Sequence, residues 1–198
     1  MMDNFPEPIV LPREEADKEE AKRLSEIIPV ILKQNGFSDV YYQCCLQKLV
    51  EGTGAYAVYW DNEANNGLGE ISVQKVSMLN LFWEPGVDDI QESHNVFLVH
   101  LEDNDDLKAQ YPEQADKFKG GGGLTINKYR YDDSIDTTDK SLVVEWYYRK
   151  RGEDGRTVLH YCKFIAGQPE PLYATENEAE YAERGLYDHG RYPFVFDP

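Results

Sequence analysis

The chain has 198 residues and a mass of 22.8 kDa, which fits one domain or one large and one small domain. Hydrophobic residues make up 41% and aromatic residues 13%, so the chain is globular rather than disordered. The 37 acids and 20 bases give a formal net charge of −17. Such a charge repels phosphates, which argues against a sequence-reading DNA-binding domain and against binding to an anionic membrane.

The first third of the chain has helical patterns. Residues 3–12 carry three prolines and are expected to be extended. Over Glu14–Leu32 the apolar residues recur at helical spacing, with charged residues on the opposite face. Pro29 lies within this stripe and is expected to kink or split the helix. Asn35-Gly36 predicts the helix end, and Ser38 predicts the N-cap of a second helix that ends near Glu51.

The rest of the chain has the patterns of short strands and turns. Strands are predicted over residues 55–60, 71–76, 79–83, 96–101, 142–151 and 156–165. The last two flank a glycine-bounded turn and form the clearest hairpin. Short helical segments are predicted over residues 104–111, 113–119 and 177–184. The apolar, aromatic stretch Tyr192–Pro198 predicts a strand that is separated here from the continuation of a longer chain.

These patterns predict an α+β fold, in which N-terminal helices precede a mostly antiparallel sheet with short helices. We expect a helical segment over residues 1–54 and an α+β region over residues 55–198. Four consecutive glycines, Gly120–Gly123, predict a flexible joint near residues 119–124.

No motif predicts catalysis or cofactor binding. The four histidines lack the spacing of a zinc-binding helix, and no glycine cluster completes a P-loop or a dinucleotide-binding turn. The three cysteines include no CxxC pair, which favours free thiols in a reducing cytoplasm. No apolar run approaches 18 residues, so no membrane span is predicted. We therefore predict no catalytic residue, no metal site and no cofactor.

Charge is distributed unevenly along the chain. Residues 84–116 hold ten acids and one base, and their central cluster lacks the glycine and distal glutamate of a calcium-binding loop. A helix cap explains that cluster more simply. The later hairpin has a basic tip. The candidate subunit-contact residues are the acids Asp103, Asp105 and Asp106 and the bases Arg149, Lys150, Arg151 and Arg156.

Two interpretations of these charges remain open. An acidic face of one copy can meet a basic face of the next, which would support head-to-tail association. Alternatively, the acids form a solvated surface and the bases are strand-edge charges that block unwanted pairing.

A resemblance to a known family rests on an ordered series of short segments. In chain order they are Asn35-Gly36-Phe37, Glu51–Tyr56, Tyr59-Trp60-Asp61, Gly69-Glu70-Ile71, Leu81–Gly86, Asp89–Ser93, Tyr111-Pro112-Glu113 and His189–Val195. Over roughly Glu14–Asp197 the series resembles the portal proteins of tailed bacteriophages and prophages, the connectors between head and tail. No single segment is as specific as a metal motif, and the resemblance depends on their order.

The resemblance implies a structural protein rather than an enzyme. Portal proteins form rings, typically of twelve subunits, at one vertex of the virion capsid, and they assemble in the bacterial host cytoplasm. DNA passes through the central channel as non-specific cargo. The implied partners are other portal subunits, the packaging ATPase (large terminase), the capsid or scaffold, and tail-completion proteins. Because family members are more than twice as long, we expect this chain to be a fragment of the outer wing region.

Two other classes remain open on the sequence alone. One is a stand-alone acidic binding protein, such as a toxin-immunity protein or a DNA mimic that occupies a basic cleft. The other is an enzyme domain whose site is assembled from scattered acids. A stand-alone protein would be complete at Pro198, whereas a portal fragment would be read through in the gene.

Overall fold

The computed structural model describes residues 8–62, 64–118, 139–152 and 155–197. The structure is α+β: two helices precede two sheets, and the described strand pairs are antiparallel. Two compact units are present, residues 1–78 with 193–198 (unit 1) and residues 79–192 (unit 2). This division differs from the one predicted after residue 54. The predicted joint at Gly120–Gly123 lies outside the described residues.

The bounds of the helices and strands are as follows. The two long helices are α1 (Lys18–Gln34) and α2 (Phe37–Glu51). The strands are β1 (Gly54–Asp61), β2 (Glu70–Val76), β3 (Leu81–Trp83), β4 (Asn95–Asp103), β5 (Lys140–Arg151), β6 (Thr157–Ile165), β7 (Tyr173–Ala174) and β8 (Phe194–Asp197). Short helical turns lie at Asn104–Gln110, Pro112–Lys117 and Thr175–Asn177, among others. Within the described ranges, no helix combines the length and the apolarity needed to cross a bilayer.

Unit 1 combines the two helices with a sheet of order β2-β1-β8. Helix α1 continues through Pro29, which lies on its exposed side, where water can replace the hydrogen bond that proline removes. The helix end at Asn35-Gly36 is as predicted, and α2 starts at Phe37, one residue before the expected cap. The Asn35 side chain donates to the Ile71 carbonyl and accepts from the Val73 amide, both at 2.8 Å, and so fixes the helix connection to β2.

Unit 2 is built on a sheet of order β3-β4-β5-β6-β7. The predicted long hairpin is present as β5 and β6. One hydrophobic cluster within unit 2 contains five buried side chains, two from this hairpin and three from other segments. They are Leu107, Phe118, Val143, Ile165 and Leu172.

The helix predicted over residues 177–184 is wrong. A 3-10 turn at Thr175–Asn177 is followed by further turns instead. The segment ends at Gly185, where φ is +77° and an added Cβ would lie 2.4 Å from the Leu159 carbonyl oxygen. The next amide, Leu186, donates to the same carbonyl at 2.7 Å. Attachment to β6 therefore overrides a weak helical pattern.

Candidate functional site

The two sets of predicted contact residues lie at opposite ends of the unit 2 sheet. The β4–β5 register pairs Asp103 with Lys140 and Asn95 with Tyr148, so the acidic end of β4 faces the start of β5. The basic residues lie at the other end of β5, roughly 35 Å away at about 3.3 Å per residue. The structure therefore does not bring the acids and bases together within one chain.

Local contacts account for much of the acidic end. Asp103 caps the helix Asn104–Gln110, and its carboxylate accepts from the Asp105 amide at 3.0 Å. Asp105 also pairs with Lys108 at 3.0 Å. Asp105 and Asp106 are exposed. The helix cap predicted from the sequence is thus confirmed, and the exposed acids remain available at the protein surface.

Three of the four predicted basic residues are exposed at the hairpin end. These are Lys150, Arg151 and Arg156. Lys150 forms an ion pair with Glu176, and its ammonium lies 5.6 Å from the centre of the Tyr148 ring. The hydrogen bond from Lys150 lowers the pKa of the Glu176 carboxyl. Part of the positive charge at this end is therefore already balanced within unit 2.

Arg149 has a different position, inside unit 2. Its guanidinium donates to the backbone carbonyl of Gln91 and, at 3.1 Å, to the side-chain oxygen of the same residue. It also lies 4.3 Å from the centre of the Tyr192 ring, which is 3% exposed. The Tyr192 hydroxyl in turn donates to the Ser93 carbonyl at 2.9 Å. Arg149 therefore joins distant segments of its own unit and is poorly placed to contact another molecule.

A cluster of charged residues that no sequence motif indicates lies in the middle of the same sheet. His100 and Glu102 share one face of β4, and the register places Glu145 opposite Lys163. The Lys163 ammonium donates to both carboxylate oxygens of Glu102, at 2.7 and 3.0 Å. The His100 ring nitrogen Nε2 lies 2.7 Å from Glu102 Oε1. The alternation of side chains along β4 indicates that His100 and Glu102 lie on the same face. The pairing of residues between neighbouring strands, however, cannot be predicted from the sequence.

The carboxyls of Glu102 and Glu145 lie in different environments. Burial favours a higher pKa for Glu102, but the hydrogen bonds from His100 and Lys163 outweigh it and lower the pKa overall. Burial raises the pKa of Glu145, an effect that His100 and the Tyr147 hydroxyl only partly offset. His100, Glu102 and Glu145 place possible ligand atoms within 4.8 Å of one another. Because the Lys163 ammonium already provides the neutralising charge, we interpret the cluster as a structural ion-pair network.

Comparison with protein families identifies a match that covers most of this chain. The family described as phage P22-like portal protein matches residues 1–192, which spans most of unit 1 and all of unit 2. No individual curated protein matches the sequence. The match covers nearly all the segments that carried the sequence resemblance. The α+β class predicted from the helix and strand patterns is also the class observed. The chain therefore belongs to the phage P22-like portal protein family.

Proposed function

We propose that this chain is the wing region of a subunit in a phage portal ring through which DNA is packaged and ejected. The family match over residues 1–192 carries the proposal. It supports a structural role in an oligomeric ring at the capsid vertex, and it disfavours a toxin-immunity protein or a DNA mimic. In this proposal the chain has no catalytic function, and its assembly takes place in the host cytoplasm.

The charges of unit 2 support a head-to-tail contact between neighbouring subunits. A closed ring needs two different surfaces on each subunit. The acidic end offers Asp105 and Asp106, and the basic end offers Lys150, Arg151 and Arg156. Their separation along β5 lets each end face a different neighbour. We leave Arg149 out of this contact set because it is engaged within unit 2.

The net charge of −17 supports DNA as a passing cargo rather than a bound ligand. Tight binding to a duplex needs many cations that neutralise phosphates, whereas an acidic wall keeps such contacts unfavourable. The proposed protein partners are other portal subunits, the packaging ATPase, the capsid or scaffold and tail-completion proteins.

Imaging the product of the complete reading frame tests the proposal. The protein should form closed rings, and the density for residues 8–118 and 139–197 should lie at the periphery of the ring. Density for these residues along the channel, or a product that forms no ring, would contradict the wing assignment.

The basic end gives a prediction about assembly. Replacing both Arg151 and Arg156 with glutamate should slow ring assembly of the complete protein by about tenfold at low salt, because charge pairs at an interface mainly steer association. The difference should shrink at 1 M salt, where the screening length is about 3 Å. Time-resolved light scattering measures the rate.

The double variant Lys22→Glu with Arg23→Glu is the matched control, since it changes the net charge by the same amount at exposed positions on α1. It should assemble at nearly the normal rate. Equal slowing by both pairs would show a general charge effect and would remove the basic end from the proposed contact.

A further inference from the structure

The connection between β1 and β2 has an unusual backbone. It contains the short turn Ala64–Gly67, in which Asn65 and Asn66 both have positive φ, +54° and +59°. Two consecutive non-glycine residues in the left-handed region are uncommon, and asparagine is among the few residues that adopt it readily. Asn66 and Gly67 are both exposed. An asparagine followed by glycine is thus presented to water at a strained point of unit 1.

The dipeptide Asn-Gly has a chemistry of its own. The backbone nitrogen of the glycine can attack the side-chain carbonyl carbon of the asparagine, because glycine has no Cβ to obstruct the approach. The reaction proceeds only when the side chain and the backbone can rotate into line. The chain contains this dipeptide twice, as Asn35-Gly36 and as Asn66-Gly67. The two sites have the same local chemistry, so any difference between them must come from the fold.

The fold holds the Asn35 side chain in place. Its Nδ2 donates to the Ile31 carbonyl at 2.9 Å and to the Ile71 carbonyl at 2.8 Å, and its Oδ1 accepts from the Val73 amide at 2.8 Å. Attack by the next amide requires the side chain to leave all three hydrogen bonds. Their combined loss should slow the reaction about a hundredfold.

The surroundings of Asn66 differ in this respect. An added Cβ at Gly36 or at Gly67 would meet nothing within 4 Å, so the space around the two glycines is alike and the difference lies in the asparagines. The contacts that hold Asn35 have no counterpart at Asn66 among the residues that the structure describes. The strained φ of Asn66 also makes departure from the observed conformation easier.

The preceding residue, Asn65, provides a comparison within the same turn. It shares the exposure and the positive φ of Asn66. Its side chain, however, donates to Glu70 Oε2 at 2.6 Å, and the residue that follows it carries a Cβ. Exposure and backbone strain are therefore present at both asparagines, whereas a free side chain followed by glycine is present only at Asn66.

We propose that Asn66 is a site of spontaneous deamidation and that the fold protects Asn35 in the same dipeptide. The Gly67 nitrogen bonds to Cγ of Asn66, the Cγ–Nδ2 bond breaks, and ammonia leaves with the proton of the Gly67 amide. Water then opens the resulting cyclic imide at either carbonyl. One product is aspartate, and the other is isoaspartate, in which the backbone runs through the former side-chain carbonyl.

Both products change the end of the β1–β2 pair. Each adds a carboxylate to the connection between Asp61 and Glu70, which are opposite one another in the register. Isoaspartate also lengthens the backbone of this connection by one methylene. Because the modification accumulates with time, the chain should become a mixture of an original form and two more acidic forms that differ within unit 1.

Incubation of the chain at neutral pH, folded in one sample and unfolded in concentrated urea in the other, tests the proposal. Peptide mass spectrometry follows the gain of about 1 Da that accompanies the exchange of an amide for a carboxyl group. In urea the two Asn-Gly sites should react at rates within about twofold of one another, since their local chemistry is the same. In the folded chain Asn66 should react about a hundredfold faster than Asn35, and Asn65 should stay unmodified.

The variant Asn66→Gln should stop the appearance of the acidic forms on anion exchange, because the longer side chain must close a larger ring. Asn62→Gln is the matched control, since it replaces another exposed asparagine of the same connection, and it should leave the rate unchanged.

Three results would overturn the proposal. In the folded chain Asn66 could react as slowly as Asn35, which would show that the turn also protects it. Asn35 could react as fast as Asn66, which would show that its hydrogen bonds give no protection. An unchanged rate in Asn66→Gln would place the modification elsewhere. None of these results bears on the portal-ring role, which depends on the family match.

Discussion

Replacing Lys163 with methionine is expected to destabilise unit 2 by about 3 kcal/mol at pH 7, because it leaves two largely buried carboxylates without their cation. The side chains of Lys163 and Glu102 are only 9% and 20% exposed, so water can do little to replace the lost contact. Glu145 lies across the strand pair from Lys163 and is also mostly buried. Urea unfolding followed by amide exchange in β5 and β6 measures the loss.

The loss of stability caused by Lys163→Met should depend on pH. In the original protein the pKa of Glu102 is lowered, so its contribution to stability is present above the ordinary carboxyl pKa of 4.5 and is lost as the pH falls through the folded value. The pKa of Glu145 is raised, so ionisation of this carboxyl destabilises the folded state at pH values above its folded pKa. This destabilisation disappears as the pH falls below the ordinary carboxyl pKa of 4.5. In the Lys163→Met variant the ionised carboxylates of Glu102 and Glu145 both destabilise the folded state, and protonation removes this effect for both. The difference between variant and original should therefore shrink as the pH falls towards and below about 4.5.

The matched control is Lys108→Met. This lysine also pairs with an acid, Asp105, but the pair is at the surface, where the two side chains are 44% and 89% exposed. Exposed pairs contribute about 0–1 kcal/mol, so this variant should change the stability of unit 2 only slightly. A penalty for Lys163→Met that stays constant with pH would show that lost packing, not the unpaired carboxylates, is responsible.

Local patterns predicted most of the secondary structure because they depend on neighbouring residues only. The predicted strand over residues 96–101 lies within β4, and the hairpin of residues 142–151 and 156–165 is present as β5 and β6. Residues 177–184 show the limit of this approach. Their helical pattern is short, and the adjoining hydrogen bond from Leu186 to β6, which holds the end of the segment, joins parts of the chain that are distant in the sequence.

The candidate site was only partly predictable for the same reason. Sequence showed a run of cations from Arg149 to Arg151 at the end of a strand, and alternation implies that adjacent side chains point to opposite faces. It did not show that Gln91 and Tyr192, which are far away in the chain, lie beside Arg149. The ion-pair network around Glu102 likewise depends on the register across three strands, which no local pattern determines.

Replacing Arg149 with alanine is expected to destabilise unit 2 by about 3 kcal/mol, because it removes charged hydrogen bonds and a cation–π contact from a mostly buried position. The change leaves the Gln91 carbonyl without this donor and the Tyr192 ring without its covering guanidinium. For a unit of this size, such a loss should lower the unfolding temperature by more than about 10 °C. Thermal unfolding measured by circular dichroism gives the shift.

Two variants show whether the contacts of Arg149 hold the unit together. Arg151→Ala removes an exposed arginine two residues along the same strand and should change the stability by less than about 0.5 kcal/mol. Arg149→Lys keeps the charge but loses the planar fork that reaches both oxygens of Gln91, so its stability should fall between those of the original protein and the alanine variant. If Arg149→Ala is as stable as Arg151→Ala, the contacts with Gln91 and Tyr192 do not stabilise unit 2. Arg149 would then return to the set of residues proposed to contact a neighbouring subunit.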